Sequence, residues 1–253
     1  MKHLLMSLAG ASLTLMTLAG AGSDRARGSD QSAVKIVLVG DSTVATGGGW
    51  GPGFCAVMTP NVACVDDALN GRSSKSFIAE GAWAKALAEK GNYYLIQFGH
   101  NDMKGKGANL ETDPETTFAE NLRKYIADAR AIGAQPVLVT SLSRRTYKDG
   151  AVVEDLKDYA ESTRKVGLAE HVSVIDLNAI STAMLNHMTQ AEADRFNAVD
   201  QEKERLAVGK SATDRTHLNP MGQKTFGRIV ADELAQKQPE LRKYVLAAVA
   251  EVQ

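Results

Sequence analysis

The sequence predicts a three-layer α/β/α sandwich on a doubly wound, parallel, five-stranded sheet, and three observations carry that expectation. Apolar runs recur at 34–39, 61–65, 93–98, 135–140 and 172–177, each of strand length and each ended by a turn or capping residue. Helical patterns fill the intervals and supply the crossovers that parallel pairing needs. The two kinds of segment alternate rather than cluster, which is the α/β order. A chain of 253 residues, 44% hydrophobic, buries one sizeable core, so one domain is expected. A formal charge of −1 argues against wholesale electrostatic binding to nucleic acid or to an anionic membrane.

The chain opens on a segment apart from that fold. Lys2 and His3 precede an apolar run over 4–18, and Ala19-Gly20-Ala21 supplies the small residues of a processing site; this is the layout of a secretory signal peptide over 1–21. Ser7, Ser12, Thr14 and Thr17 interrupt the run, which is shorter than the ~20 apolar residues of a membrane span. Residues 22–32 read as a flexible leader and 33–253 as the single domain. Export places the only two cysteines, Cys55 and Cys64, in an oxidising compartment, where a disulfide is expected and two buried thiols are the alternative. The expected product is a secreted or periplasmic monomer with no nucleic-acid partner and no membrane partner.

In chain order, 34–39 is a buried parallel strand, because it is apolar without alternation apart from Lys35. Residues 51–58 form a short helix, 61–65 the second strand, and 67–77 a polar, glycine-bearing loop. A helix over 80–90 stops at Gly91-Asn92, and 93–98 is the third strand. Asp113 caps a long helix with Pro114 in its first turn, running to Gly133; Pro136 stands at the start of the fourth strand, where no ladder bond is lost. Residues 153–166 are helical and 172–177 are the fifth strand. Helical patterns occupy most of 180–206, a polar link covers 207–215, Asn219 caps a helix with Pro220 at its first position, and a last helix follows Pro239.

The chemistry centres on Ser42, in Gly40-Asp41-Ser42-Thr43, at the carboxyl end of the first strand, where open α/β sheets place ligands. Alone, these residues read as turn and cap. The far end of the chain changes that reading, because Asp214-Arg215-Thr216-His217 sets a carboxylate three residues before an imidazole. A serine is a weak nucleophile until a neutral imidazole accepts its proton, and the imidazole needs a carboxylate to fix its tautomer. His217 is therefore assigned as general base and Asp214 as its orienting partner. Asp176 is a rival carboxylate, with capping as its other use; His100, His171 and His187 are rival bases. An oxyanion needs donors, and the Ser42 and Gly71 N–H groups and the Asn101 amide are assigned to it.

The residues Gly40-Asp41-Ser42-Thr43-Val44, Gly49-Trp50-Gly51, Asn70-Gly71-Arg72-Ser73-Ser74-Lys75-Ser76-Phe77, Gln97-Phe98-Gly99-His100-Asn101-Asp102 and Asp214-Arg215-Thr216-His217-Leu218-Asn219 run in the order of the SGNH, or GDSL, hydrolases. The chain resembles that family, and within it the rhamnogalacturonan acetylesterase group. The resemblance implies a flavodoxin-like sheet, a Ser42–His217–Asp214 triad and an oxyanion hole of Ser42, Gly71 and Asn101. It agrees with the roles argued from chemistry, and leaves Asp41 to support its loop.

Gly47-Gly48-Gly49 lacks the Lys-Ser/Thr of a phosphate loop, no Gly-x-Ser-x-Gly elbow surrounds Ser42, and no His-Glu-x-x-His helix is present. Neither cofactor nor metal is expected. The substrate implied by the resemblance is an acetylated polysaccharide or oligosaccharide of pectin type, with Trp50 able to stack on a sugar ring and core packing as its alternative. Arg72, Lys75, Lys104, Lys106, Arg144, Arg145 and Lys148 fall in loops at carboxyl ends of strands, and Arg72 and Arg144 are singled out as substrate contacts; solvated surface charge is the alternative. An acetylxylan esterase, a lipase or thioesterase, and a non-catalytic carbohydrate-binding protein are the competing functions.

Overall fold

The computed structural model describes residues 34–199 and 213–248; the signal peptide and leader expected over 1–32 lie outside the described residues. Strands β1 (Val34–Gly40), β2 (Val62–Asp66), β3 (Tyr93–Gln97), β4 (Gln135–Val139) and, beyond the small hairpin β5 (Tyr147–Lys148) and β6 (Ala151–Val152), β7 (Ser173–Ile175) include all members of one five-stranded sheet. Its order is β2-β1-β3-β4-β7 and every pairing is parallel. The order reverses between β1 and β3, so the crevice beyond their carboxyl ends is where such a sheet accepts a ligand. A separate antiparallel pair, β8 (Asn197–Val199) with β9 (Thr213–Leu218), stands near the end of the chain.

Helices cover both faces of the sheet: α1 (Gly51–Ala56), α2 (Ser74–Ala79), α3 (Ala82–Ala88), α4 (Thr117–Ala131), α5 (Lys157–Ala169), α6 (Leu177–Asn186) and, beyond α7 (Gln190–Asp194), which packs on α6 and β6 instead, α8 (Pro220–Lys237). Alternation along β1 divides the core. Ile36 and Leu38 pack with Phe54 of α1 and Phe226, Val230 and Leu234 of α8. Val37 and Val39 pack with Trp83 of α3 and Phe118, Leu122 and Tyr125 of α4. Both faces of β1 are dry, which is why its sequence is a continuous apolar run.

Several local expectations are corrected. The loop expected over 67–77 contains α2, because Ser73 and Ser76 cap it reciprocally, Ser76 N–H on Ser73 Oγ at 3.2 Å and Ser73 N–H on Ser76 Oγ at 2.9 Å. The helix expected over 80–90 is confined to α3, set off from α2 by Gly81 at φ +80°. Asp113 does not cap α4: its Oδ1 accepts the N–H groups of Glu115 and Thr116 at 2.9 and 3.0 Å. That local turn competes with helix and delays α4 to Thr117. The helix expected from 153 begins at Lys157 because β5 and β6 turn back first, Val152 packing with Leu185 and Ala193.

Between 180 and 199, α6 and α7 are followed by strand β8 rather than more helix, and the link expected over 207–215 ends inside β9. Pairing between these two segments decides against local helical preference. The segment after Pro239 is a 3₁₀ turn, Pro239–Tyr244. Asn219 caps α8 as expected, accepting the Gly222 N–H at 3.0 Å. Asp176 caps α6, and Cys55 of α1 is joined to Cys64 of β2 by a disulfide with Cα atoms 5.5 Å apart.

One close approach fixes the distance between the two ends of the domain. Helix α1 follows the Ser42 loop, α8 follows His217, and they cross at Gly53 and Gly227. A Cβ on Gly53 would lie 1.9 Å from the Gln223 carbonyl oxygen, and one on Gly227 2.3 Å from the Phe54 nitrogen. Both obstacles are backbone, so neither can swing aside. Gly53→Ala is expected to lower stability by about 3 kcal/mol, read as a lower urea midpoint; an unchanged midpoint contradicts this account of the crossing.

Candidate active site

Ser42 lies in the loop that leaves β1, and the polar layer beneath it is hydrogen-bonded to β3. Trp50 Nε1–H donates to Gln97 Oε1 at 2.9 Å, Gln97 Nε2–H to Thr43 Oγ1 at 2.7 Å, and Thr43 Oγ1–H to Asp41 Oδ1 at 2.7 Å. Thr43 N–H adds a 2.8 Å bond to the same oxygen. The other carboxylate oxygen of Asp41 faces His100 Nδ1 at 3.7 Å. Burial works to raise the Asp41 carboxyl, but His100 and the Thr43 bonds outweigh it and hold it below its ordinary value. Burial itself pushes His100 down. His100 is thus occupied under the loop, and Asp41 supports that loop, as read from the sequence.

Trp50 is corrected here. It is fully buried, with its indole N–H inside this network and its ring in a T-shaped contact with Phe54, so it presents no face to a sugar. The residue after it starts α1, which must pack flat on the sheet, and that draws the indole inward.

His217 Nε2 lies 2.7 Å from Ser42 Oγ, and its Nδ1 lies 2.6 Å from Asp214 Oδ2. In a regular strand residues three apart point to opposite faces. Strand β9 escapes this because its register jumps: Asn197 pairs with Leu218 and the next residue, Ala198, with Asp214. Arg215, Thr216 and His217 form the bulge, and Asp214 Oδ1 fills it by accepting the Thr216 and His217 N–H groups at 2.9 and 3.0 Å. Burial works to raise the Asp214 carboxyl, but the bonds from the His217 ring, the His217 backbone and the Thr216 backbone prevail and hold it far below the usual carboxylate range. It is therefore ionised at any pH where an imidazole can act as a base.

Gly71 and Asn101 come from the loops after β2 and β3, the two neighbours of β1. Gly71 adopts φ +75° and is exposed. Among the described residues, the Ser42 and Gly71 N–H groups donate to no protein acceptor. Asn101 Nδ2 gives one bond, 3.1 Å to the Arg72 carbonyl, which ties the two loops together. Asp102 ties them more firmly. Its carboxylate accepts Ser74 Oγ–H at 2.6 Å, Thr112 Oγ1–H at 2.9 Å and the Ser74 and Gly99 N–H groups at 3.1 Å. Burial raises it to about 6 against those bonds.

The basic residues do not form a free ring. Arg145 is wholly buried and points away from solvent. Arg72 pairs with Glu80 at 2.9 Å, both side chains well exposed, so the pair contributes little stability. Arg144 binds Thr216 Oγ1 at 3.2 Å, Met103 Sδ at 3.4 Å and the Asp155 carboxylate. Lys75 donates to the Ala108 carbonyl at 2.6 Å; Lys104, Lys106 and Lys148 are exposed. Of the rival bases, His171 sits at φ +51° before β7 and His187 ends α6.

Sequence reasoning missed Gly48. Its carbonyl accepts the Leu218 N–H at 2.8 Å, and a Cβ there would lie 3.2 Å from His217 Cβ and Cδ2. The glycine run beside Ser42 is the signal for it: the run lets the two loops touch. Gly48→Ala is expected to keep the fold and lower turnover about tenfold by displacing the imidazole a few tenths of an ångström; wild-type kcat at an unchanged melting temperature contradicts it.

Residues 38–225 match the GDSL-like lipase/acylhydrolase family. The chain is 30% identical over 204 residues to a probable rhamnogalacturonan acetylesterase, YesY, of Bacillus subtilis, covering 78% of this chain and 90% of that one. It is 31% identical over 225 residues to the rhamnogalacturonan acetylesterase RhgT of the same organism, covering 85% and 95%. Among solved structures, it resembles protein YXIM of Bacillus subtilis with a TM-score of 0.63 at 24% identity, covering 81% of this chain and 57% of that one, little more than half its length. It resembles a single-site variant of Axe2, an acetyl xylan esterase from Geobacillus stearothermophilus, with a TM-score of 0.60 at 14% identity, covering 87% and 99%. The chain belongs to the GDSL-like lipase/acylhydrolase family and is a carboxylic ester hydrolase.

Proposed function

We propose that the protein is an exported serine esterase that removes O-acetyl groups from plant-type polysaccharide, acetylated rhamnogalacturonan first. The observation that carries the reading is the unbroken line from Ser42 Oγ through the His217 ring to Asp214, with contacts of 2.7 and 2.6 Å. In this mechanism His217 Nε2 takes the Ser42 proton as Oγ attacks the acetyl carbonyl. Asp214 stabilises the imidazolium that results, and the proton then goes to the departing sugar oxygen. The Ser42 and Gly71 N–H groups and the second Asn101 N–H donate to the tetrahedral oxygen. Water, with His217 again as base, releases acetate from the acetyl-serine.

Support for an acetyl substrate comes from the relatives named as rhamnogalacturonan acetylesterases over nearly their whole length. Support for export comes from the segment over 1–21 and from the disulfide, which fits an oxidising compartment. Arg72 and Arg144 already have acidic partners, so charge attraction to galacturonate is a minor part of the reading.

The test is acetate release from acetylated rhamnogalacturonan, acetylated xylan and p-nitrophenyl esters of increasing chain length. Ser42→Ala is expected to lose at least ~10⁴-fold in kcat, with rhamnogalacturonan ahead of xylan and acetyl ahead of longer acyl groups. Faster release from xylan moves the assignment to an acetylxylan esterase, rising activity with chain length moves it to a lipase, and undiminished turnover by Ser42→Ala removes the triad.

A further inference from the structure

Arg145 stands in the loop after β4 with its guanidinium wholly buried. Nη2–H donates to the His217 carbonyl at 2.8 Å and Nε–H to Asn197 Oδ1 at 2.5 Å. Its own backbone joins the same cluster, Arg145 N–H on the Arg215 carbonyl at 3.1 Å and Gln190 Nε2–H on the Arg145 carbonyl at 2.9 Å. Burial pulls the guanidinium down to about 10, opposed by Asp214 and Asp194, so it is charged at neutral pH. Burying a cation costs several kcal/mol unless a partner offsets it. Among the described residues no carboxylate is hydrogen-bonded to it, and Nη1 has no hydrogen-bond partner. An apolar side chain of similar size would fill the space without that cost, so packing alone does not account for an arginine.

The bulge in β9 supplies the reason. A bulged residue loses its partner in the ladder, and His217 is such a residue. Its backbone is nevertheless held on every polar group nearby. The His217 N–H is on Asp214 Oδ1, the His217 carbonyl on Arg145, and the next N–H, of Leu218, on the Gly48 carbonyl. These bonds fix the backbone angles of His217 and hence the direction of its ring.

We infer that Arg145 is a positioning residue for His217: it replaces the ladder bond that the bulge removes, holding the imidazole against Ser42. The inference rests on the triad reading above. The other charges facing this region are Asp214 and Arg215 of β9, Asp194 of α7, and Arg144 with its partner Asp155.

Arg145→Met and Arg145→Lys are compared with wild type and Ser42→Ala on p-nitrophenyl acetate, with kcat and KM expressed per folded molecule from near-ultraviolet circular dichroism. For Arg145→Met, kcat is expected to fall about 30-fold with KM within about twofold. For Arg145→Lys, kcat is expected to fall only about fivefold, because one ammonium keeps a donor near the carbonyl but cannot replace the two-armed fork. Wild-type kcat per folded molecule in both variants overturns the inference, and so does an Arg145→Lys variant no more active than Arg145→Met. Should Arg145→Met not fold, wild-type kcat in Arg145→Lys overturns it alone. Full turnover by Ser42→Ala removes the triad reading and the inference with it, whereas inactive Ser42→Ala beside unaffected Arg145 variants removes the inference only.

Discussion

One hydrogen bond organises this molecule: the 2.7 Å contact between Ser42 Oγ and His217 Nε2, made by residues 175 positions apart in the chain. Two weakly specified loops cannot hold such a contact to within a few tenths of an ångström on their own. The loops are instead extensions of rigid parts. Ser42 is carried by the buried β1, and His217 by the strand that runs straight into α8. The helices that follow the two residues meet backbone to backbone at Gly53 and Gly227. Glycine at both positions costs chain entropy, and the close crossing it permits sets the separation of the two side chains.

Polar groups then convert a fixed separation into a fixed orientation. Beneath Ser42 a buried chain from Trp50 through Gln97 and Thr43 to Asp41 leaves the loop no room to turn. Around His217, Asp214, Gly48 and Arg145 hold successive backbone groups. On the third side, Asp102 binds the first residue of α2 to the loop that carries Asn101. The expected oxyanion donors thus sit on loops joined to each other. Desolvated carboxylates are costly, and here Asp102 and Asp214 are each surrounded by donors.

The fold was legible because β1, β3 and β4 are buried on both faces and their sequences say so without ambiguity. What was not legible was set by partners far away in the chain. Nothing local in Asn197-Ala198-Val199 says strand; β9 makes it one. Ser73 and Ser76 read as loop residues because a capping box and a polar loop use the same amino acids, and Asp113 misled in the opposite direction. At the site, Ser42, Asp214 and His217 were readable because acyl transfer demands those residue types, and because the motifs that carry them run in the order of the family the chain resembles. Trp50 was misread because a tryptophan near a cleft carries no mark of which way it faces. Arg145 was misread because a guanidinium in a strand-end loop looks like surface charge until its acceptors, the His217 carbonyl and Asn197, are placed around it.

The account depends on Ser42 being activated by His217. The most direct measurement is the rate at which a fluorophosphonate modifies the protein, with the modified residue located by peptide mass spectrometry. The account predicts a single adduct on Ser42, formed at least ~10³-fold more slowly in His217→Ala, because the alcohol has lost its proton acceptor. An adduct on another residue, or equal rates with and without the imidazole, would contradict it.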